Sequence, residues 1–176
     1  SGTINVTAAS STLSVSNGEV SMAAGGDIVG AGQLKLTNSD FNVGTGVSFT
    51  FGSGGTGPTL DVITGNITGG GTLVNESEIA ADGAGTISVS NFVNSNGGTL
   101  DHADGALVVT SAFDNQANSE LVVNKSVTNT DISFSNDFTN SGLVRFEGTN
   151  LGSITVGGGS GTLSNAGSGT IQVLEG

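Results

Sequence analysis

The chain has 176 residues, with 31 Gly, one Pro, no Cys, Trp or Tyr, and a net charge of −12 from 15 acidic and three basic residues. Zero cysteine excludes disulfide staples, thiolate chemistry and Cys-based metal sites. So few Lys and Arg argue against nucleic acid and anionic membrane as partners, because both require positive charge to meet phosphate. No apolar run approaches the ~18 residues of a membrane-spanning helix, so membrane insertion is not expected. The chain begins at Ser1 with no basic leader. The expectation is therefore that a signal peptide has been removed, or that the segment belongs to something larger.

In chain order the elements are short. Apolar, polar, apolar triplets recur at Ile4/Val6, Leu13/Val15, Val20/Met22, Leu34/Leu36, Phe41/Val43, Val47/Phe49/Phe51 and Leu60/Val62. They continue at Ile87/Val89, Leu107/Val109, Leu121/Val123, Ile132/Phe134, Val144/Phe146, Ile154/Val156 and Ile171/Val173. Alternation with period two buries one face of a strand. Gly, Asn, Asp or Ser bounds each triplet, so the glycines read as turn punctuation between strands of three to five residues. The regular placement of Leu, Ile and Val argues against disorder despite the glycine content. Residues 52–58 (G-S-G-G-T-G-P) read as a turn, with a linker or protruding loop as the alternative.

Self-similarity fixes the architecture. An apolar-x-Asn motif followed by a short Gly-rich spacer places Asn75, Asn94, Asn115, Asn140 and Asn165 at intervals of 19, 21, 25 and 25 residues. A second motif, I-x-G-x-G-x-L, runs over Ile28–Leu34 and Ile67–Leu73, and more loosely from Ile154 to Leu163. The expected fold is all-β: a parallel β-helix (β-solenoid) of short strands, about 19–25 residues per coil, as a single domain over residues 1–176. A β-sandwich is the alternative. Coils stack at the interstrand spacing of about 4.8 Å, so about eight coils form a rod on the order of 40 Å. Equivalent positions then become vertical ladders. Apolar residues form the core, and an Asn at a turn is suited both to the left-handed conformation and to amide bonds with its copies in neighbouring coils.

These repeats resemble the passenger regions of bacterial autotransporters and filamentous-haemagglutinin-type adhesins, in which G-x-G-x-L and x-N-x-G-x-I-x-V patterns build a right-handed parallel β-helix. The resemblance spans nearly the whole chain, although the chain is short for a passenger and shows none of the long strands of a C-terminal membrane barrel. It implies an extracellular or cell-surface structural protein: a rigid segment of an adhesin, or a fibre subunit.

The two ends point to assembly. Ser1–Val6 reads S-G-T-I-N-V and Ser168–Val173 reads S-G-T-I-Q-V. Matching strands, with Ile4 and Val6 at one end and Ile171 and Val173 at the other, would suit a head-to-tail homopolymer, since a contact that does not close makes a filament. The bland reading is that G-T-I-x-V is simply the repeat unit. On that reading the neighbours are further repeats of a longer chain.

Chemistry is thinly represented. The only histidine, His102, lies in D-H-A-D between Asp101 and Asp104, and Asn129-Thr130-Asp131 resembles one element of β-helical glycosidases without its accompanying elements. A solvated loop accounts for Asp101, His102 and Asp104, and the glycosidase element stands alone, so no catalytic residue, resident metal or cofactor is expected. A polysaccharide-degrading enzyme is kept as an alternative. The calcium-binding nonapeptide does not recur, which leaves room only for weak Ca²⁺ binding by carboxylates at successive turns. Recognition of a glycan or host protein is the other alternative. The absence of Trp and Tyr weighs against glycans, which stack on aromatic rings.

Overall fold

A computed structural model describes residues 2–52, 57–83, 85–124, 130–149, 152–157 and 161–174. Ser1, residues 53–56 of the glycine-rich segment and Asn129 lie outside the described residues. Among the described residues there is no helix, and the strands wind into a parallel β-solenoid of about 7 turns. Every strand pair is parallel, which removes the β-sandwich, a stack of antiparallel sheets.

The first turn is β1 (Thr3–Val6), β2 (Thr12–Ser16) and β3 (Glu19–Met22); the second is β4 (Asp27–Gly30), β5 (Gln33–Thr37) and β6 (Asp40–Val43). The third is β7 (Ser48–Phe51) and the long β8 (Thr59–Thr68). The fourth is β9 (Thr72–Asn75), β10 (Glu78–Ala81) and β11 (Gly85–Ser88), and the fifth is β12 (Asn91–Asn94), β13 (Thr99–His102) and β14 (Ala106–Val109). The sixth is β15 (Ala112–Asn115), β16 (Glu120–Asn124) and β17 (Thr130–Phe134), and the seventh is β18 (Phe138–Asn140), β19 (Leu143–Glu147) and β20 (Gly152–Val156). Strands β21 (Leu163–Asn165) and β22 (Thr170–Val173) begin another.

Three faces result. The first carries β1 and β4, then β7, β9, β12, β15, β18 and β21. The second runs from β2 through β5, β8, β10, β13, β16 and β19 to β22. The third runs from β3 through β6, β8, β11, β14 and β17 to β20. The coil length reaches slightly beyond the expected range: Thr72 pairs Asn91, 19 residues on, while Leu143 pairs Thr170, 27 residues on. Longer turns at the corners absorb most of the difference, and one register shift falls between Leu36 and Thr37 where β5 meets β8.

One strand departs from the short-strand expectation. β8 is 10 residues long and serves both the second and third faces. It turns the corner at Gly65, whose φ of 146° and close approach to the Ser39 carbonyl leave no room for a Cβ. Only glycine holds that conformation cheaply, so the strand bends without ending.

The core follows from the pleat. Inward positions on the first face are Ile28, Phe49, Leu73, Phe92, Phe113 and Phe138, all buried; Leu34, Leu60, Ile79, Leu100 and Leu121 do the same on the second. Each such side chain contributes about 1.5–3 kcal/mol by leaving water. Phe113 packs against three other rings, with centroid distances of 4.9 Å to Phe92, 5.4 Å to Phe134 and 5.2 Å to Phe138.

Candidate functional site

The five asparagines singled out by spacing stand in one column. Each closes a strand of the first face, and the pairing is in register: Asn75 with Asn94, Asn94 with Asn115, Asn115 with Asn140, and Asn140 with Asn165. The alternation that points Leu73 or Phe92 inward also points the Asn two residues later inward. Asn75, Asn94, Asn115 and Asn140 are fully buried. A buried amide without partners costs about 1–3 kcal/mol per unmet group, so the column must satisfy itself.

It does so in one direction. Asn75 Nδ2 donates to Asn94 Oδ1 at 2.8 Å, Asn94 Nδ2 to Asn115 Oδ1 at 2.9 Å, Asn115 Nδ2 to Asn140 Oδ1 at 2.8 Å, and Asn140 Nδ2 to Asn165 Oδ1 at 2.7 Å. Each of these four amides also donates to a backbone carbonyl of the following turn, where the second face begins: Thr99, Glu120, Leu143 and Thr170 at 2.9, 2.8, 3.1 and 3.3 Å. Each Asn therefore fastens the corner between the first and second faces to the corner of the next coil.

The glycine that follows the Asn in the motif now has a physical reason. A Cβ on Gly98 would meet the Asn75 carbonyl and Asn94 Oδ1; one on Gly142 would meet the Gln116 and Ser119 carbonyls and Asn115 Nδ2. Gly169 lies equally close to the Asn140 carbonyl and Asn165 Oδ1. The backbone must pass the amide column at van der Waals distance, and a side chain would hold it off.

Left-handed backbone belongs to a different set of asparagines. Asn17, Asn38, Asn96 and Asn118 have φ of 56°, 48°, 49° and 66°. The sequence reading gave both tasks to one Asn series; the molecule divides them. Column asparagines sit at strand ends, where the conformation is extended, and turn asparagines take the bends.

The ends differ from the expectation in one respect. β1, with Ile4 and Val6, lies on the first face, whereas β22, with Ile171 and Val173, lies on the second. The matched segments are therefore not at corresponding positions of the coil, and stacking one on the other would require turning one copy by a whole face. The match is one of strand sequence and not of position in the coil. Ile171 and Val173 are 48% and 63% exposed, and Leu163 is 43% exposed.

The enzyme-like residues separate. His102 occupies an inward position on the second face, in register with Val123, and is fully buried. Its Nδ1 lies 2.7 Å from the Ala81 carbonyl and its Nε2 lies 3.2 Å from the Gly105 carbonyl. The expected solvated loop is thus corrected: His102 replaces an aliphatic core residue and ties two turns together. Thr130 is buried, with Oγ1 2.9 Å from the Asn124 carbonyl, and Asp131 points outward on the third face beside Ser153. Asp131 and His102 face away from each other and share no cleft.

A polar strip on the outer side of the second face escaped the sequence reading. Lys35, Asp61, Ala80, Asp101, Val122 and Arg145 stand in register there. Asp61 Oδ2 accepts from Gln33 Nε2 at 3.1 Å and pairs with Lys35 Nζ at 3.4 Å. Arg145 pairs with Glu120 and Glu147, both at 3.0 Å. Burial, reinforced by the charges of Asp82, Glu78 and Glu147 and opposed by His102, pushes the Asp101 carboxyl up to about 6. Its Oδ1 is buried and has no hydrogen-bond partner among the described residues. Burial, then Asp61, also raises the Asp82 carboxyl. Among the described residues no three His, Asp or Glu side chains are grouped as a metal ion would require, and no helix is long and apolar enough to cross a membrane.

Comparison with protein-family models, curated proteins and solved structures finds no match to this chain. Its functional reading therefore rests on the β-solenoid itself and the chemistry of its columns.

Proposed function

We propose that this chain is a structural rod: a rigid β-solenoid segment of an extracellular surface adhesin, whose work is mechanical. The observation that carries the proposal is the unbroken amide column from Asn75 to Asn165, with every bond running along the rod axis. A pull along that axis loads the column, the parallel ladders and the stacked core together, and a turn yields only when all three give way. The acidic, Lys-poor composition and the resemblance to adhesin passenger repeats support the extracellular assignment. On this reading the chain is not an enzyme: His102 serves the core and Asp131 faces solvent on another face. It needs no cofactor, and its partners are other solenoid coils.

The test is single-molecule extension from the two termini. The expected trace shows discrete force peaks with length released a turn at a time, about 70–90 Å per step for a coil of this size. Smooth extension without peaks, as a disordered chain gives, would end the rod reading. Antibody labelling of intact producing cells checks the location: a signal only after permeabilisation would refute the surface assignment.

A further inference from the structure

The outer side of the second face holds more negative charge than its cations answer. Ala80 stands at the centre of that charge, ringed by four carboxylates. Asp61 lies in register in the coil below it and Asp101 in the coil above. Glu78 and Asp82 flank it two residues away along its own coil. Both face outward with Ala80, because the ladder continues past β10 to the Asp82 N–H, which donates to the Val62 carbonyl. Lys35 pairs with Asp61, and Arg145 with Glu120 and Glu147. Among the described residues no Lys or Arg pairs with Glu78, Asp82 or Asp101.

Two of the ring's oxygens lack a donor. Asp61 is only 5% exposed. Its Oδ2 is taken by Gln33 and Lys35, both in the coil below, which leaves Oδ1 on the side of Ala80. That Oδ1 is buried and has no hydrogen-bond partner, and the same holds for Oδ1 of Asp101. Ala80 is the smallest side chain in the column from Lys35 to Arg145 and is itself partly exposed, so the ring has an open centre. Neighbouring coils stand about 4.8 Å apart and alternate residues of a strand about 6.6 Å, so the ring spans about 10 Å by 13 Å. A bare Ca²⁺ needs its oxygens at about 2.3–2.6 Å, and among the described residues no carboxylates are grouped so closely. An ammonium with three donors on a flexible stem suits the wider ring.

We propose that this ring is a docking point for a lysine side chain carried by an extended, basic segment of a partner protein. The side chain seats its ammonium over Ala80, donates to the unpartnered oxygens of Asp61 and Asp101, and lies between Glu78 and Asp82. Charge favours a basic partner over a second copy of this chain, which brings a net charge of −12 of its own. The proposal goes beyond the rod reading and does not rest on it.

The experiment titrates the full chain at low ionic strength with a capped peptide of alternating lysine and glycine, followed by calorimetry and by the amide NMR signal of Ala80. Ala80→Val fills the centre of the ring and leaves every charge in place. It is expected to weaken binding about fivefold, and Asp101→Asn by a similar factor. Asp27→Asn removes the same charge from the first face, where Asp27 is exposed, and is expected to leave binding unchanged. Undiminished binding by Ala80→Val would overturn the proposal. So would equal losses from Asp27→Asn and Asp101→Asn, which would make the attraction a property of the whole acidic rod. A free diamine that bound more tightly than the peptide would make the occupant a small amine and overturn it as well. None of these readouts depends on the force measurement, so this proposal and the rod reading can fail separately.

Discussion

The first three turns and the later ones solve the same corner in different ways. Phe51 holds the position directly below Asn75, and in the first two turns Val6 and Gly30 close the paired strands; from the fourth turn on that position holds Asn. The first face is also divided at that end. β1 and β4 form a separate pair, and among the described residues β4 does not pair with β7; an open cleft lined by Asp27, Ile28, Gly30, Gly52 and Pro58 lies there. From β7 to β21 the face is one sheet of six strands. The aromatic core follows the same division: a single pair, Phe41 and Phe49, 5.7 Å apart, against the cluster around Phe113. The difference teaches that register permits an amide column without requiring one: Val6 pairs Gly30 and Phe51 pairs Asn75 in register, yet apolar or glycine residues fill the corner there.

The largest expected effect breaks the column at its centre. Asn115→Val leaves Asn94 Nδ2 and Asn140 Oδ1 without their partners and should cost about 2–4 kcal/mol. Asn165→Val removes the exposed upper member, where water can replace the partner that Asn140 Nδ2 loses, and should cost about half as much. Urea unfolding of both variants checks this, and equal losses would mean that the column is not a connected unit.

A smaller effect tests the glycines at the two kinds of corner. Gly142→Ala drives a methyl into the carbonyls of Gln116 and Ser119 and should lower stability by about 1–3 kcal/mol, as overpacking does. At Gly18 in the first turn the nearest atom to an added Cβ is Val15 Cγ1 at 3.6 Å, an ordinary contact. Gly18→Ala should therefore be neutral or stabilise by up to about 1 kcal/mol through the unfolded chain. Thermal melts of the two variants that moved in the same direction would remove the distinction.

The smallest effect concerns the strip of carboxylates beside the later turns. A folded-state value of about 6 against an ordinary 3.8 means that the folded chain holds a proton on Asp101 which the unfolded chain has released. Stability from this group therefore rises as pH falls through about 6 and levels off below 3.8. The melting temperature should increase from pH 7 to pH 5, and Asp101→Asn should raise it at pH 7 while flattening that increase. A melting temperature that fell over this range in both proteins would contradict the assignment.

Much of this was legible in the residues. Asn and Gly are position-specific in a way that Ser and Thr are not, so the Asn series at 75, 94, 115, 140 and 165 revealed both the coil length and its corner. Alternation showed which residues point inward but not on which of three faces a triplet lies, which is why the matched terminal segments looked like a joint. His102 was hidden by its acidic neighbours. The signal was nevertheless there: Leu100 and His102 repeat the spacing of Leu121 and Val123 in the next coil, and aligning the coils places the imidazole in the core. The two Asn sets were not separable by motif, since Asn17 and Asn38 follow an apolar residue by two just as the column members do. The outer strip was not legible, because Lys35, Asp61, Asp101 and Arg145 come from different coils and only register assembles them.

Five side-chain amides bonded head to tail are also five aligned dipoles, each polarising the next. The column accordingly gives the later turns an electrical sense, with its partial positive pole at Asn165 and its partial negative pole near Phe51. In a molecule of net charge −12 that field is fixed along the rod axis rather than spread over the surface.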